Sequence, residues 1–207
     1  MIYIVRHGQT DWNLVPRIQG QLDIPLNEQG RREAVISAKQ IASLKIDQII
    51  SSDLSRAKET ATIINDFISA PIHYDPRLRE AVFGDLQGIL VKDISEEAWR
   101  ARKYEPHKIH AESYAELYER VKSFFSEIDE TKNTLIVTHA GVVKIIKYLS
   151  QHPNSFDLKD FEETAMQFKI KNTAVFMWDK SEKFQSLVNE QWEKSNKNNI
   201  LLEKWWV

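Results

Sequence analysis

The chain has 207 residues, 28 Lys and Arg against 30 Asp and Glu, a formal charge of -2 at neutral pH and no cysteine. Near-balanced charge argues against a general polyanion binder and so against nucleic acid as a partner, and the missing thiols remove disulfides, thiolate metal ligands and a cysteine nucleophile. No apolar run approaches a membrane span and no leader pattern marks the first residues, so the expectation is one soluble, cytoplasmic domain over residues 1–207 with no membrane partner.

The run Ile2-Tyr3-Ile4-Val5 is β-branched or aromatic throughout and predicts a buried strand. Arg6, His7 and Gly8 stand at its carboxyl end, where open α/β sheets bind ligands. A loop through Gly20 and Pro25 leads to a helix capped by Asn27 and apolar along Ala34, Ala38 and Ile41. A strand follows at "IDQII", and "SSDLSRAKETATIINDFI" predicts a strand-to-helix turn and a helix with Ala57, Ala61, Ile64 and Phe67 on one face. After a short extended piece, "PIHY", comes the loop "RLREAVFGDLQG", whose glycines imply tight turns. Ser113 and Glu116 have capping-box spacing ahead of a helix lined by Leu117, Val121, Phe124 and Ile128.

The buried strand "TLIVT" ends at His139, and "AGVVKIIKYLS" continues as a helix. In "MQFKIKNTAVFMW" the pattern predicts two extended pieces around a turn at Lys171-Asn172. The adjacent Trp205 and Trp206 are expected to pack in the core or against a second copy in a homodimer.

Two distant strands thus deliver a histidine at their carboxyl ends, His7 and His139. In a mostly parallel sheet both ends open on one crevice. Arg6 adjoins His7, and Arg56 opens the helix after "SSDLS", where a cation opposes the helix dipole unless an anion is bound. Guanidinium forks and the backbone amides after His139, from Ala140 onward, suit phosphate oxygens. A neutral imidazole can attack phosphorus, and Arg6, Arg56 and a charged His139 are expected to keep His7 unprotonated. A carboxyl is then needed for the leaving oxygen. Glu80 in the irregular loop, where a desolvated acid can hold a proton near neutrality, is one of 30 acids that could supply it.

The ordered motifs "VRHGQTDWN", "LNEQG", "SSDLSRAKETA", "LREAVFGDLQG" and "VTHAG" resemble the histidine phosphatase superfamily in its phosphoglycerate-mutase-like branch. The resemblance spans roughly residues 1 to 150. It implies a three-layer α/β/α sandwich with a mostly parallel central sheet, and phosphoryl transfer without metal or other cofactor. It makes His7 the nucleophile and Glu80 the proton donor. Arg6, Arg56 and His139 stabilise the phosphoryl group, and Asn13, Gln19 and Gly20 line the phosphate.

A lid segment is expected at about 82–112. Many small phosphatases of this group carry Gly-Gly-Glu-Ser where this chain has His110-Ala111-Glu112-Ser113. In the lid, Arg100, Arg102, Lys103 and His107 either meet a second anionic group or form a solvated face. The expected function is hydrolysis of a small phosphorylated metabolite. Mutases of this pattern have a much longer insert between the acid and the second histidine, whereas Glu80 and His139 here are 59 positions apart. A silent phospho-ligand or protein binder is disfavoured because His7, Arg56, Glu80 and His139 are all present. A metal hydrolase is disfavoured because no His pair has the i, i+4 spacing of a helical zinc site.

Overall fold

Each long strand of the structure, a computed structural model that describes residues 1–179 and 184–187, buries side chains on both faces. Strands β1 (Ile2–Arg6), β2 (Gln48–Ser51), β3 (Ile72–Tyr74), β4 (Thr134–Thr138), β5 (Val175–Trp178) and β6 (Gln185–Ser186) form one sheet in the order β3-β2-β4-β1-β5-β6. The first four run parallel, with Ile2 opposite Thr134 and Arg6 opposite Thr138. Strand β5 is antiparallel to β1, and β6 to β5.

Alternation along the strands builds two cores. Tyr3, Val5, Ile49, Leu135, Val137 and Val175 pack with Ala38 and Ile41 of α2 (Glu28–Ile41) and with Ala57, Ala61 and Ile64 of α3 (Ser55–Ile68). Ile2, Ile4, Ile136, Phe176 and Trp178 face the opposite layer, made by α5 (Tyr114–Ser126) and α6 (Ala140–Gln151). The result is the three-layer α/β/α sandwich with a mostly parallel sheet that the motifs imply.

Local signals hold at the helix starts. Asn27 Oδ1 accepts from Gly30 N at 2.8 Å, and Ser113 and Glu116 form the reciprocal capping box. A single turn, α1 (Asp11–Leu14), starts at Thr10, whose N–H donates to Asn13 Oδ1 at 3.0 Å. Phe67 departs from expectation and is 43% exposed, because the buried face of α3 continues from Ile64 to Ile68, one full turn on.

Of the two extended pieces expected at 166–178, the second is β5 and the turn between them is present, with Ala174 N donating to Lys171 O at 3.2 Å, but the first is corrected. After α7 (Leu158–Phe161), residues Glu162–Met166 form a π-helical turn, and the chain then reaches β5 without pairing as a strand. The Phe168 ring packs 5.5 Å from Phe176 and 6.2 Å from Phe184, so this segment lies over the sheet face while β6 takes the edge of β5. The Trp205-Trp206 pair falls outside the described residues.

The segment 82–112 leaves and rejoins the sandwich at one point. Glu112 N donates to Val82 O at 2.9 Å, and Val82 N donates to Glu112 Oε2 at 3.2 Å. Between them lie short 3-10 turns and helix α4 (Glu96–Tyr104), capped by Ser95. Backbone bonds from Gly88 N to Ile18 O (2.8 Å) and from Val91 N to Pro16 O (2.9 Å) stitch the segment onto the loop after β1. Gly84 is required here: its φ is +56°, and a Cβ would lie 1.8 Å from Ile109 O. The departure at His110-Ala111 has a structural consequence, since His110 occupies the left-handed region with φ 54°. A side chain there costs about 1–2 kcal/mol relative to glycine's sterics.

Candidate active site

Because β1 and β4 are parallel neighbours, the residues that leave them stand side by side. His7 N donates to Thr138 O at 2.8 Å, and the His7 and His139 rings lie 5.1 Å apart at 56°. Both rings are buried. Gly8 is dictated by the crossing of α2 over this turn: a Cβ at Gly8 would lie 2.4 Å from Gly30 O, and one at Gly30 would lie 2.1 Å from Gln9 O. Gly8 N donates to Thr60 Oγ1 at 3.1 Å and Gln9 N to Glu33 Oε2 at 3.0 Å, so the turn is held from both sides.

The contacts fix the tautomer of His7. Nδ1 lies 2.7 Å from Gly8 O, a group that can only accept, so Nδ1 carries the proton and Nε2 keeps its lone pair. Burial pushes the imidazole pKa well below its ordinary 6.5, and the positive charges of Arg56 and Arg6 add to this. His139 is pushed well below 6.5 as well, by burial first and then by Arg56, with His7, Arg6 and Arg120 contributing. This corrects the expectation of a charged His139 in the empty site: desolvation and the two arginines keep His7 neutral without it. His139 Nε2 pairs with Ser52 Oγ at 2.8 Å, while Nδ1 is buried without a hydrogen-bond partner.

Arg6 Nη1 donates to Ile170 O at 2.5 Å. Arg56 donates to Leu22 O at 2.8 Å and Gly20 O at 2.7 Å, and its Nε is buried without a partner. Burial lowers both guanidinium pKa values to about 10, with Glu80 opposing the shift, so both remain charged at neutral pH. Glu80 Oε1 accepts from Ala81 N at 2.9 Å and Oε2 from Gly141 N at 3.1 Å, which ties the carboxyl to the first turn of α6.

Arg6, His7, Asn13, Gln19, Gly20, Arg56, Glu80 and Ala140 line one cleft of about 500 Å³, including its part open to solvent. His139, its ring 5.1 Å from that of His7, is fully buried beside this lining. The structure therefore brings the sequence-predicted residues together. Asn13 Nδ2 and Arg56 Nε are buried donors left unpaired at this place, where the ring nitrogen His139 Nδ1 also lacks a partner, and an oxyanion would satisfy such donors.

Sequence reasoning missed Ser52, although it lies inside the quoted "SSDLSR", and it missed the apolar part of the cleft: Pro16, Ile18, Phe83 and Val91. The four cations of the 82–112 segment raised for a second anion stand away from the cleft lining. Arg100 and His107 are exposed, Lys103 pairs with Glu162, and Arg102 is buried between rings, with none of the four lining the cleft. Among the described residues, no three His, Cys, Asp or Glu side chains are grouped to hold a metal ion, and no helix is long and apolar enough to cross a membrane.

A family model described as histidine phosphatase superfamily (branch 1) matches residues 2–188. The uncharacterized phosphatase PhoE of Bacillus subtilis (strain 168) is 34% identical over 147 residues, covering 69% of this chain and 72% of its own. A probable phosphoglycerate mutase GpmB of Enterobacter sp. (strain 638) is 40% identical over 147 residues, covering 67% and 68%. Among solved structures, Bacillus stearothermophilus YhfR is similar with a TM-score of 0.74 at 28% identity, covering 91% of this chain and 95% of that one. The mycobacterial glucosyl-3-phosphoglycerate phosphatase Rv2419c complexed with VO3 has a TM-score of 0.74 at 27% identity, covering 91% and 97%.

Proposed function

Since the chain belongs to the histidine phosphatase superfamily, we propose that it hydrolyses a small phosphorylated metabolite through a phosphohistidine on His7, with no metal ion. The observation that carries this reading is the bond from His7 Nδ1 to Gly8 O, which leaves Nε2 as a lone-pair nucleophile between two arginines. In the first displacement Nε2 attacks phosphorus, the ester P–O bond breaks, and the departing oxygen takes a proton from Glu80. In the second, water attacks phosphorus and gives its proton to the Glu80 carboxylate. The P–N bond then breaks, releasing phosphate and neutral imidazole. Arg6, Arg56 and the Nδ1 side of His139 meet the equatorial oxygens where charge collects, with Asn13, Gln19, Gly20 and the Ala140 amide around them.

Ser52 supports the role of His139. A Ser52 hydroxyl donating to Nε2 places the ring proton on Nδ1, so that a neutral imidazole still offers the phosphate a donor.

The test is rapid quenching with a radiolabelled phosphomonoester in the presence of a chelator. An acid-labile, base-stable adduct is expected on the wild-type protein and absent from His7→Ala, whose turnover falls to background. An adduct that survives His7→Ala, or turnover abolished by the chelator, overturns the scheme. Glu80→Gln is expected to slow alkyl phosphates by about 10²–10⁴-fold and aryl phosphates far less, since a good leaving group needs little protonation. Equal losses would remove Glu80 from the role of acid.

A further inference from the structure

Arg102 is the buried charge of α4, 1% exposed, and its Nε, Nη1 and Nη2 are all without a hydrogen-bond partner. Its guanidinium instead lies 4.8 Å from the centre of the Phe83 ring and 4.4 Å from that of Tyr114. A cation removed from water without hydrogen bonds is strongly unfavourable, and two aromatic faces are the compensation this place offers. A planar guanidinium fits between rings, whereas an ammonium has no face to stack. The contact therefore fixes where Phe83 stands.

Phe83 matters because it lines the cleft, three residues after Glu80, the group that meets the leaving oxygen. Its companions beyond the phosphate end are Pro16, Ile18 and Val91, which are apolar, and Arg17. Arg17 is engaged: it donates to Gly88 O and lies 5.3 Å from the Trp12 ring centre. Of the other cations in this segment, Lys103 pairs with Glu162 and Lys108 with Glu105, Lys92 and Arg100 are exposed, and none of the four lines the cleft. A second negative charge on the leaving group would be brought against the apolar carbon of Pro16, Ile18, Phe83 and Val91, at a desolvation cost that an uncharged group escapes.

Resting on the phosphatase reading above, we propose that Arg102 is a positioning residue that clamps Phe83 as the apolar wall of the leaving-group pocket. It thereby selects phosphomonoesters of uncharged, apolar or aromatic alcohols over esters that carry a second anionic group.

The experiment compares kcat and KM for ethyl phosphate, phenyl phosphate and 3-phosphoglycerate on the wild-type protein and on Arg102→Met, Arg102→Lys and Phe83→Leu. The wild type should favour phenyl phosphate over 3-phosphoglycerate by about tenfold or more in kcat/KM, the scale of one well-placed apolar contact. Arg102→Met and Arg102→Lys should both raise KM for the phenyl ester while kcat for the ethyl ester stays within about twofold. Phe83→Leu reads the same wall from the other side of the stack, and it carries the test should Arg102→Met fail to fold. Equal losses on all esters would reduce Arg102 to a structural role. A selective loss of 3-phosphoglycerate would make it an anion ligand; either result overturns the proposal. Binding of phenylphosphonate and a carboxylated phosphonate, followed by calorimetry, reads the same order without turnover. A wild-type protein that binds in this order but hydrolyses nothing therefore refutes the phosphatase reading alone.

Discussion

Two buried imidazoles beside two guanidinium groups make the stability of this protein depend on pH in a defined direction. His7 and His139 both have folded-state pKa values well below 6.5, with burial the first cause and Arg56 the second. The unfolded chain binds more protons than the native one between those depressed values and about pH 6.5, so stability rises with pH across that window. The contribution is fully present above about pH 6.5 and is lost as pH falls toward the folded values. Each histidine adds about 1.4 kcal/mol per pH unit to the slope within the window. Urea midpoints measured from pH 5 to 7 should therefore fall steeply below 6.5, and His7→Gln should remove about half of the slope that the pair supplies. A variant with the wild-type slope would mean that His7 is solvated and able to take up a proton in the native state. The site's identity is legible at this scale because its parts are chemically rare, a histidine after each of two apolar strands. The charge state of His139 is not, because it depends on burial by residues distant in sequence.

Elements position these residues through close approach. The first turn of α2 crosses the turn after β1 at a distance only two glycines permit, Gly8 against Gly30 O and Gly30 against Gln9 O. Gly30→Ala puts its Cβ against main chain, which cannot rotate away, so the helix and the His7 turn must separate. We expect a loss of about 1–3 kcal/mol in stability, typical of overpacking, together with a fall in kcat as Nε2 moves from its place. Thermal melting and turnover on the same preparation check both; a variant of normal kcat would show that α2 does not set the position of His7. Sequence periodicity finds α2 and its Asn27 cap, since both are local, but the Gly8–Gly30 contact joins residues 22 positions apart and has no pattern. The same limit explains Phe67 and the 166–170 segment. Period alone does not say which neighbouring turn meets the sheet, nor that Phe168 will lie over Phe176 instead of pairing along an edge.

At the scale of the molecule, parallel order is legible from alternating strands and helices, and adjacency of β1 and β4 turns two sequence-distant histidines into one site. The fate of the lid cations is not legible, because a basic run reads alike whether its members face solvent, an acid or a ring. To the backbone bonds that stitch the 82–112 segment onto the sandwich, one arginine of α5 adds a side-chain tie. Arg120 donates to both Glu112 oxygens at 2.8 Å, to Arg77 O at 2.6 Å, to Arg79 O at 2.9 Å and to Glu80 O at 3.4 Å. It thus ties the helix layer, the returning end of the 82–112 segment and the backbone of Glu80 together. Arg120→Met leaves the Glu112 carboxylate and three carbonyls without this donor; with the pair partly open to solvent, a loss of about 2–3 kcal/mol is expected. The diagnostic readout is kinetic. If Arg120 holds Glu80 in register with the leaving oxygen, alkyl phosphates should slow more than aryl phosphates, in the same sense as Glu80→Gln though by less. Arg120→Lys, which keeps the charge but not the fork, should fall between wild type and Arg120→Met. An equal slowing of both ester classes would confine Arg120 to holding the layers together and leave the placement of Glu80 to Gly141 and Ala81.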